Sequence, residues 1–468
     1  MIQRFVTPHS SVRTQISIAR WRIVTLFLSV LLISSEVSAQ DQVWSMNECM
    51  KYALENSPKV KKQYHTDDTY KAEVTAAVAS FFPSLSVGSQ GTFNFGRSID
   101  PKTNTYNTVS TFNNSYSLSA SMPLFDGGQL VNQLRSAKIK RNIGAVGIEK
   151  EKDDLSLNVM QSYIDVLYYT GTVDLAAERL SESQRVLHKT KRQEELGVKG
   201  KADVVQIESQ VAANDYNLTR QQNLLNTALL TLKTHMNFPS DSTFQIDTLF
   251  SSLVTEKTER VSNEIYEYAT EHNPTARLAT LRLKNAEMQH LVSKGRMYPT
   301  ISVDAGVSTN YFRNLSSDQS ANGTPIDPFM DQMKNNLGEY VGIRLSIPLF
   351  SGLSRVTNVR RARNERHIAR EEQNEVFRQL QNAIDQAIFD REGYAKEVAQ
   401  MEKKVEADDL SYQITLRKFE EGLMSPLDLQ LSSNNLLLAK AELLQRRLAL
   451  VIKSKLVDYY CGIPLVTK

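Results

Sequence analysis

The chain carries one series of motifs twice, and this duplication restricts its fold more than any other feature. Pro-Leu-Phe-Asp-Gly at 123–127 returns as Pro-Leu-Phe-Ser-Gly at 348–352. Around them, prolines, glycines and aspartates recur in the same order: Pro58, Pro83, Gly197, Asp203 and Pro239, then Pro274, Pro299, Gly422, Asp428 and Pro464. The period is about half the chain, so the sequence predicts one duplicated unit rather than a solenoid.

Each unit contains two stretches in which apolar residues alternate with small polar ones. They predict strands at about 84–96 and 108–124, and at about 300–312 and 339–350. Strands of about ten residues with one apolar and one polar face are typical of walls between lipid and a wet lumen. A soluble sandwich also alternates, so this pattern alone leaves both structures open. The connecting loops are predicted at 97–107 and 313–338, and the second is longer and polar.

Each strand pair is followed by a long stretch without proline, Gln129 to Leu196 and Leu353 to Glu421. About 65 helical residues would span roughly 100 Å, which requires partner helices along the whole length. The predicted partners follow tip loops at about 196–203 and 421–428. They carry apolar residues at every seventh position, which indicates a sustained packing seam: Val204, Val211, Leu218, Leu225 and Leu232, and Leu429, Leu436, Leu443, Leu450 and Val457.

The first 39 residues predict a secretory signal, with arginines before an apolar run and Val37-Ser38-Ala39 as a cleavage site. The rest divides into a first structural repeat, 40–262, and a second, 263–468. Residues 40–468 hold equal numbers of acidic and basic side chains, which makes nucleic acid a poor candidate partner. Cys49 and Cys461 could form a disulfide or remain two buried thiols, and the sequence leaves both alternatives open.

The number of predicted strands bears on assembly. No later stretch reaches about 18 apolar residues, so a membrane crossing would need a closed barrel of strands. Four strands cannot close one, because known barrels need about eight or more. Two copies would give eight strands and a filled lumen, whereas three would give twelve and room for a passage. The predicted fold class is therefore mainly α with a β-barrel contribution, in which long antiparallel helical hairpins form a tube in an oligomer.

With these motifs assembled, the chain resembles the TolC family of outer-membrane efflux proteins across residues 41–468. The resemblance is carried by the doubled Pro-Leu-Phe-x-Gly, by Asn273-Pro274, and by the two tip loops. It implies a homotrimer in the outer membrane, in contact with outer-membrane lipid, with a twelve-stranded barrel above a periplasmic helical tunnel. It also implies docking on a periplasmic adaptor and an inner-membrane transporter, as a passive exit duct for small molecules or proteins.

The resemblance also implies functional positions. Gly197, Asp203, Gly422 and Asp428 would lie at the periplasmic tip, where acidic residues line the aperture; the alternative for both aspartates is helix N-capping. The predicted transitions between barrel and tunnel are Pro83, Pro123, Gly127, Pro299, Pro348 and Gly352. The chain departs from the family at the second tip, where Met424, Ser425 and Pro426 leave no arginine for a latch, while the first tip carries Lys199 and Lys201.

Two other functional classes fit the sequence less well. An enzyme is disfavoured because the seven histidines are scattered and no phosphate-loop spacing occurs; acidic pairs such as Asp153-Asp154 fit solvated helix faces. No catalytic residue, cofactor or metal site is predicted. A soluble periplasmic coiled-coil scaffold or adaptor would share the signal and the heptads, but it has no need of four such strands.

Overall fold

The computed structural model describes residues 43–99, 104–240, 244–248, 261–315 and 327–466. The predicted signal at 1–39 lies outside them. The helices of these ranges are α1 (Met46–Asn56), α2 (Pro58–Ala79), α3 (Gln129–Glu195), α4 (Lys201–Met236), α5 (Ser262–His272), α6 (Pro274–Gly295), α7 (Phe329–Asn335), α8 (Ser354–Glu420) and α9 (Pro426–Tyr460). The strands are β1 (Val43–Trp44), β2 (Ser84–Ile99), β3 (Tyr106–Phe125), β4 (Gln245–Ile246), β5 (Thr300–Asn314) and β6 (Gly338–Ser346).

The short helices begin where local chemistry places them. Ser45 and Glu48 form a capping box before α1: the Ser45 N–H donates to the Glu48 carboxylate at 2.8 Å, and the Glu48 N–H donates to the Ser45 hydroxyl at 3.3 Å. Proline is the first residue of both α2 and α6, where its missing N–H costs nothing. The Asn273 side chain accepts the Thr275 N–H at 2.9 Å and so caps α6.

The four predicted strands form one antiparallel sheet in the order β2-β3-β5-β6. Its register aligns the apolar faces, because Val87 pairs with Leu118, Leu118 with Val307, and Val303 with Ile343. These apolar side chains are widely exposed on the two outer strands, with Val87 at 82% and Ile343 at 76%. The sheet therefore offers one continuous apolar face that nothing in the described chain covers on β2 and β6.

The opposite face of the sheet carries small and charged polar groups. The hydroxyls of Ser86 and Ser119 lie 2.8 Å apart. Ser121 donates to the Asp304 carboxylate at 2.8 Å, and Arg344 lies 3.3 Å from the same carboxylate. This network joins β3, β5 and β6 and separates a polar face from the apolar one.

Two predicted boundaries were wrong. The strand expected to reach residue 350 ends at Ser346, because its partner β5 begins at Thr300 and Pro348 has no N–H to donate. The loop expected at 313–338 contains the helix α7. Within it the Gln332 amide accepts the Phe312 N–H at 2.9 Å and donates to the Phe312 carbonyl at 3.1 Å, in the way a neighbouring strand would.

The helices pack in two groups, one next to the sheet and one farther from it. Near the sheet, α2 packs on α3, α3 on α6, and α6 on α8; farther away, α4 packs on α3, α3 on α9, and α9 on α8. The predicted seams are confirmed, since every heptad position is buried or half-buried, among them Leu232, Leu429 and Val457. No helix among the described residues is both long and apolar enough to cross a bilayer.

A compact region surrounds the middle of the long helices. Strands β1 and β4 pair in parallel, and the buried Tyr163 hydroxyl of α3 donates to the Asp247 carbonyl beside them at 2.7 Å. Cys49 and Cys461 lie in two separate hydrophobic clusters and do not bond to each other. Burial raises the pKa of the Cys49 thiol to about 12, so it is inert at neutral pH.

Candidate functional site: the hairpin tips and the sheet-to-helix junctions

Both predicted tip glycines end a long helix in the same way. Gly197 and Gly422 have left-handed φ angles of +75° and +79°. At the first tip the Val198 N–H donates to the Gln193 carbonyl and the Gly197 N–H to the Glu194 carbonyl, both at 2.8 Å. At the second tip the Leu423 and Gly422 amides make the matching bonds, at 2.9 and 3.0 Å. These are Schellman turns, in which glycine takes the left-handed position with the least strain.

The two predicted aspartates lie in the first turn of the return helices, two residues inside them. Asp203 is the third residue of α4, and its carboxylate accepts the Gly200 N–H at 3.1 Å. Asp428 is the third residue of α9 and accepts from the Ser425 hydroxyl at 2.6 Å and from its N–H at 3.2 Å. These bonds hold the pKa of the exposed Asp428 carboxyl below its usual value. The aspartates were expected directly before the helices, but Gly200 and Ser425 are the N-cap residues.

The structure brings the two hairpins together at the tips through residues that the sequence reasoning missed. The Lys189 ammonium of α3 lies 3.0 Å from the Glu420 carboxylate of α8, and the Gln193 amide donates to the Glu420 carbonyl at 3.1 Å. Lys199 of the first tip lies 4.3 Å from the ring centroid of Phe419. The partners are more than 200 residues apart in sequence, so no local signal could have paired them.

A buried polar cluster lies above the tips, between the same helices. The Arg179 guanidinium pairs with Glu182 at 2.9 Å and lies 5.3 Å from the ring centroid of Tyr412, which is 6% exposed. Burial and the nearby Glu182 raise the pKa of the Tyr412 hydroxyl.

The expectation that Asp153 lies on a solvated helix face was wrong. Asp153 is partly buried and accepts a hydrogen bond from the Tyr459 hydroxyl at 3.0 Å.

The predicted transition residues lie where strands and helices meet. Pro83 and Pro299 directly precede β2 and β5, and Pro123 lies at an irregularity in the last residues of β3. Pro348 lies past the end of β6, between it and α8. Gly127 and Gly352, with φ angles of +71° and +58°, turn the chain from strand to helix.

The junctions of the two repeats differ in packing. A Cβ added at Gly127 would lie 2.3 Å from the Gly295 carbonyl oxygen, so only glycine fits between β3 and α6. At Gly352 the same atom would meet nothing within 4 Å. The residue after it, Leu353, also has a positive φ, of 63°, where the first repeat has a second glycine, Gly128.

Comparisons with known proteins agree with this geometry. A family model described as outer membrane efflux protein matches residues 50–237 and 265–457. A search of curated proteins gives no significant match.

Among solved structures, the crystal structure of CusC, described in terms of folding and transmembrane channel formation, superposes with a TM-score of 0.75 at 17% identity. The match covers 89% of this chain and 91% of that one. The Campylobacter jejuni outer membrane channel CmeC gives 0.75 at 13% identity, over 89% and 86%. The Vibrio cholerae outer membrane protein VceC gives 0.73 at 14%, over 89% and 96%. At such low identities the likeness establishes a shared fold.

Proposed function

The chain belongs to the outer membrane efflux protein family, and on this premise we propose that three copies form the exit duct of a tripartite efflux or type I secretion system. The duct is a passive conduit for small molecules or proteins, and an inner-membrane transporter supplies the driving force. The first repeat, 40–262, and the second, 263–468, each contribute one strand pair and one long hairpin to the wall.

The proposal rests on one observation: within the described residues, the sheet and both groups of helices each end, at either side, in an element with a neighbour on one side only. The sheet has the strand order β2-β3-β5-β6. The helices near the sheet pack in the order α2-α3-α6-α8, and those farther from it pack in the order α4-α3-α9-α8. Within the described residues, β2 and β6 each have one strand neighbour. Unpaired strand edges are too costly in hydrocarbon, so the edges of neighbouring copies must pair. Three copies give twelve strands and twelve helices in each ring.

We further propose that the tips form the periplasmic aperture. Lys189, Lys199 and Gln193 hold the second hairpin against the first through Glu420 and Phe419, and this contact set replaces the arginine latch that the chain lacks. Asp203 and Asp428 line the aperture in addition to their capping bonds. Exposed apolar side chains at both tips, Leu196, Val198 and Leu423, provide the surface on which a periplasmic adaptor docks.

The assembly is tested by extracting membranes with carbonate and running the chain unheated on a denaturing gel. A trimeric barrel stays in the membrane and shows heat-modifiable migration, whereas a periplasmic scaffold washes off and migrates as a monomer. Crosslinking from cysteines placed at Val198 and Leu423 then identifies the adaptor by co-purification.

The aperture is tested with Asp428→Ala in planar bilayers. We expect single-channel conductance or leak to change more than the melting temperature, because the carboxylate is exposed at the passage. Unchanged current with a lowered melting temperature would assign Asp428 to helix capping alone.

A further inference from the structure

Cations are concentrated on the helix segments that lie next to the sheet. Residues 354–370 of α8 hold six arginines and one acidic residue, Glu365; residues 129–142 of α3 hold four cations and no acidic residue. The end of α6 adds Lys294 and Arg296. We call six of these side chains the basic collar: Lys138, Lys294, Arg296, Arg360, Arg361 and Arg363. This is a strong local excess in a chain that is nearly neutral as a whole.

The collar has no internal counter-charge. All six side chains are exposed, and no carboxylate of the described residues lies within ion-pairing distance of them. Farther along the same hairpin several cations are paired: Lys404 with Asp408 and Arg447 with Glu402 at 2.7 Å, and Lys453 with Asp390 at 2.8 Å. Residues 371–420 of α8 also hold twelve acidic and only seven basic residues. The excess of cations over acidic residues is therefore a property of the sheet-proximal end of α8.

Such an arrangement opposes helix stability. Arg360 and Arg363, and Arg363 and Arg366, are three residues apart on one helix, a spacing at which like charges repel. They are the seventh, tenth and thirteenth residues of α8, whose first turn has no acidic residue. The buried His290 reports the same field: burial lowers its pKa, and Lys294 and Arg366 lower it further. An anion from outside the chain would relieve this repulsion.

We propose that the basic collar binds the phosphate groups of anionic phospholipids in the periplasmic leaflet of the outer membrane. The inference rests on the proposed insertion of the sheet. Beyond the last strand residue, Ser346, the apolar side chains Leu349 and Phe350 are 92% and 83% exposed and lie five and four residues before the first residue of α8. Arg360 and Arg363 follow within ~9–14 Å along the helix. The headgroup layer begins there, and long basic side chains can reach up to it.

The test uses the full-length trimer in neutral detergent, with melting temperature measured while phosphatidylglycerol or phosphatidylcholine is added. We expect phosphatidylglycerol to raise it by about 2–4 °C more than phosphatidylcholine does, and high salt to remove the difference. The triple variant Arg360→Gln, Arg361→Gln, Arg363→Gln should lose it. The matched control, Arg378→Gln, Lys396→Gln, Lys403→Gln, removes three exposed cations of α8 at least ~36 Å from its start and should keep it.

Several outcomes would overturn the inference. Equal shifts with both lipids, a collar variant that keeps the shift, or an equal shift with inorganic phosphate would each exclude a lipid site. A collar variant that alters ion selectivity in neutral bilayers but keeps the phosphatidylglycerol shift would place the cations in the passage. Failure of the proposed function is distinguishable, because the wild-type chain would then wash off membranes in carbonate.

Discussion

Two glycines at matching positions of the repeats, Gly127 and Gly352, should respond differently to the same substitution. Both have a positive φ, so alanine costs about 1–2 kcal/mol of strain at either position. Only at Gly127 does the added Cβ also meet Gly295 and Tyr298, at 2.3 and 2.8 Å, which adds about 1–3 kcal/mol for overpacking. Chemical unfolding of Gly127→Ala and Gly352→Ala should show the larger loss for Gly127→Ala. Equal losses would mean that the junction of β3 with α6 relaxes freely.

The residue scale also shows what sequence could not supply. The doubled Pro-Leu-Phe-x-Gly correctly predicted a change from strand to helix at both glycines. It could not predict that Gly127 alone is enclosed, because its neighbour Gly295 belongs to the other repeat. The arginines of 354–370 can be counted directly in the sequence, but the nearly balanced charge of the whole chain conceals this local excess.

At the scale of helices, the two return helices differ in one capping group. Ser425 completes the capping box with Asp428 at the second tip, whereas Gly200 at the first tip has no side chain and bonds to Asp203 through its backbone alone. Ser425→Ala should destabilise the start of α9 by about 0.5–2 kcal/mol. Gly200→Ser should slow amide exchange at the start of α4, because the Gly200 backbone is already extended. Exchange measured by mass spectrometry at residues 200–206 and 425–431 checks both, each tip serving as the other's control.

The same box gives the second tip a pH dependence. The folded pKa of Asp428 is lowered by its bonds from Ser425, so its contribution is present above the unfolded value of about 3.9 and is lost as pH falls through the folded pKa. Protection at 425–431 should therefore fall in acid, and Ser425→Ala should weaken this dependence. An unchanged acid profile in Ser425→Ala would contradict the assignment.

Elements were predicted best where a period was sustained. The long helices with their heptad seams, and all four strands of the sheet, were located from alternation and from missing prolines. The end of β6 was misplaced because alternation continues through Leu349 although the partner strand has ended. The contacts between tips were out of reach, since Glu420 meets Lys189 and Gln193 only once both hairpins are folded.

For the whole molecule, the decisive question is which face of the sheet meets lipid. Val341 and Gly342 are neighbours on β6 whose side chains point to opposite faces; Val341 is 81% exposed, and a Cβ at Gly342 meets nothing within 4 Å. On the proposed orientation, Val341→Arg places a charge in hydrocarbon at a cost of about 2–4 kcal/mol per copy, and a ring of three copies bears it three times. Gly342→Arg places the same charge beside the polar network of Asp304 and Arg344 on the lumen face. Val341→Arg should therefore reduce the heat-modifiable trimer in outer-membrane fractions, while Gly342→Arg assembles and changes only conductance. The reverse result would mean that the apolar face of the sheet lines the lumen and the polar face meets lipid. The inner and outer faces of the helices would then be exchanged as well.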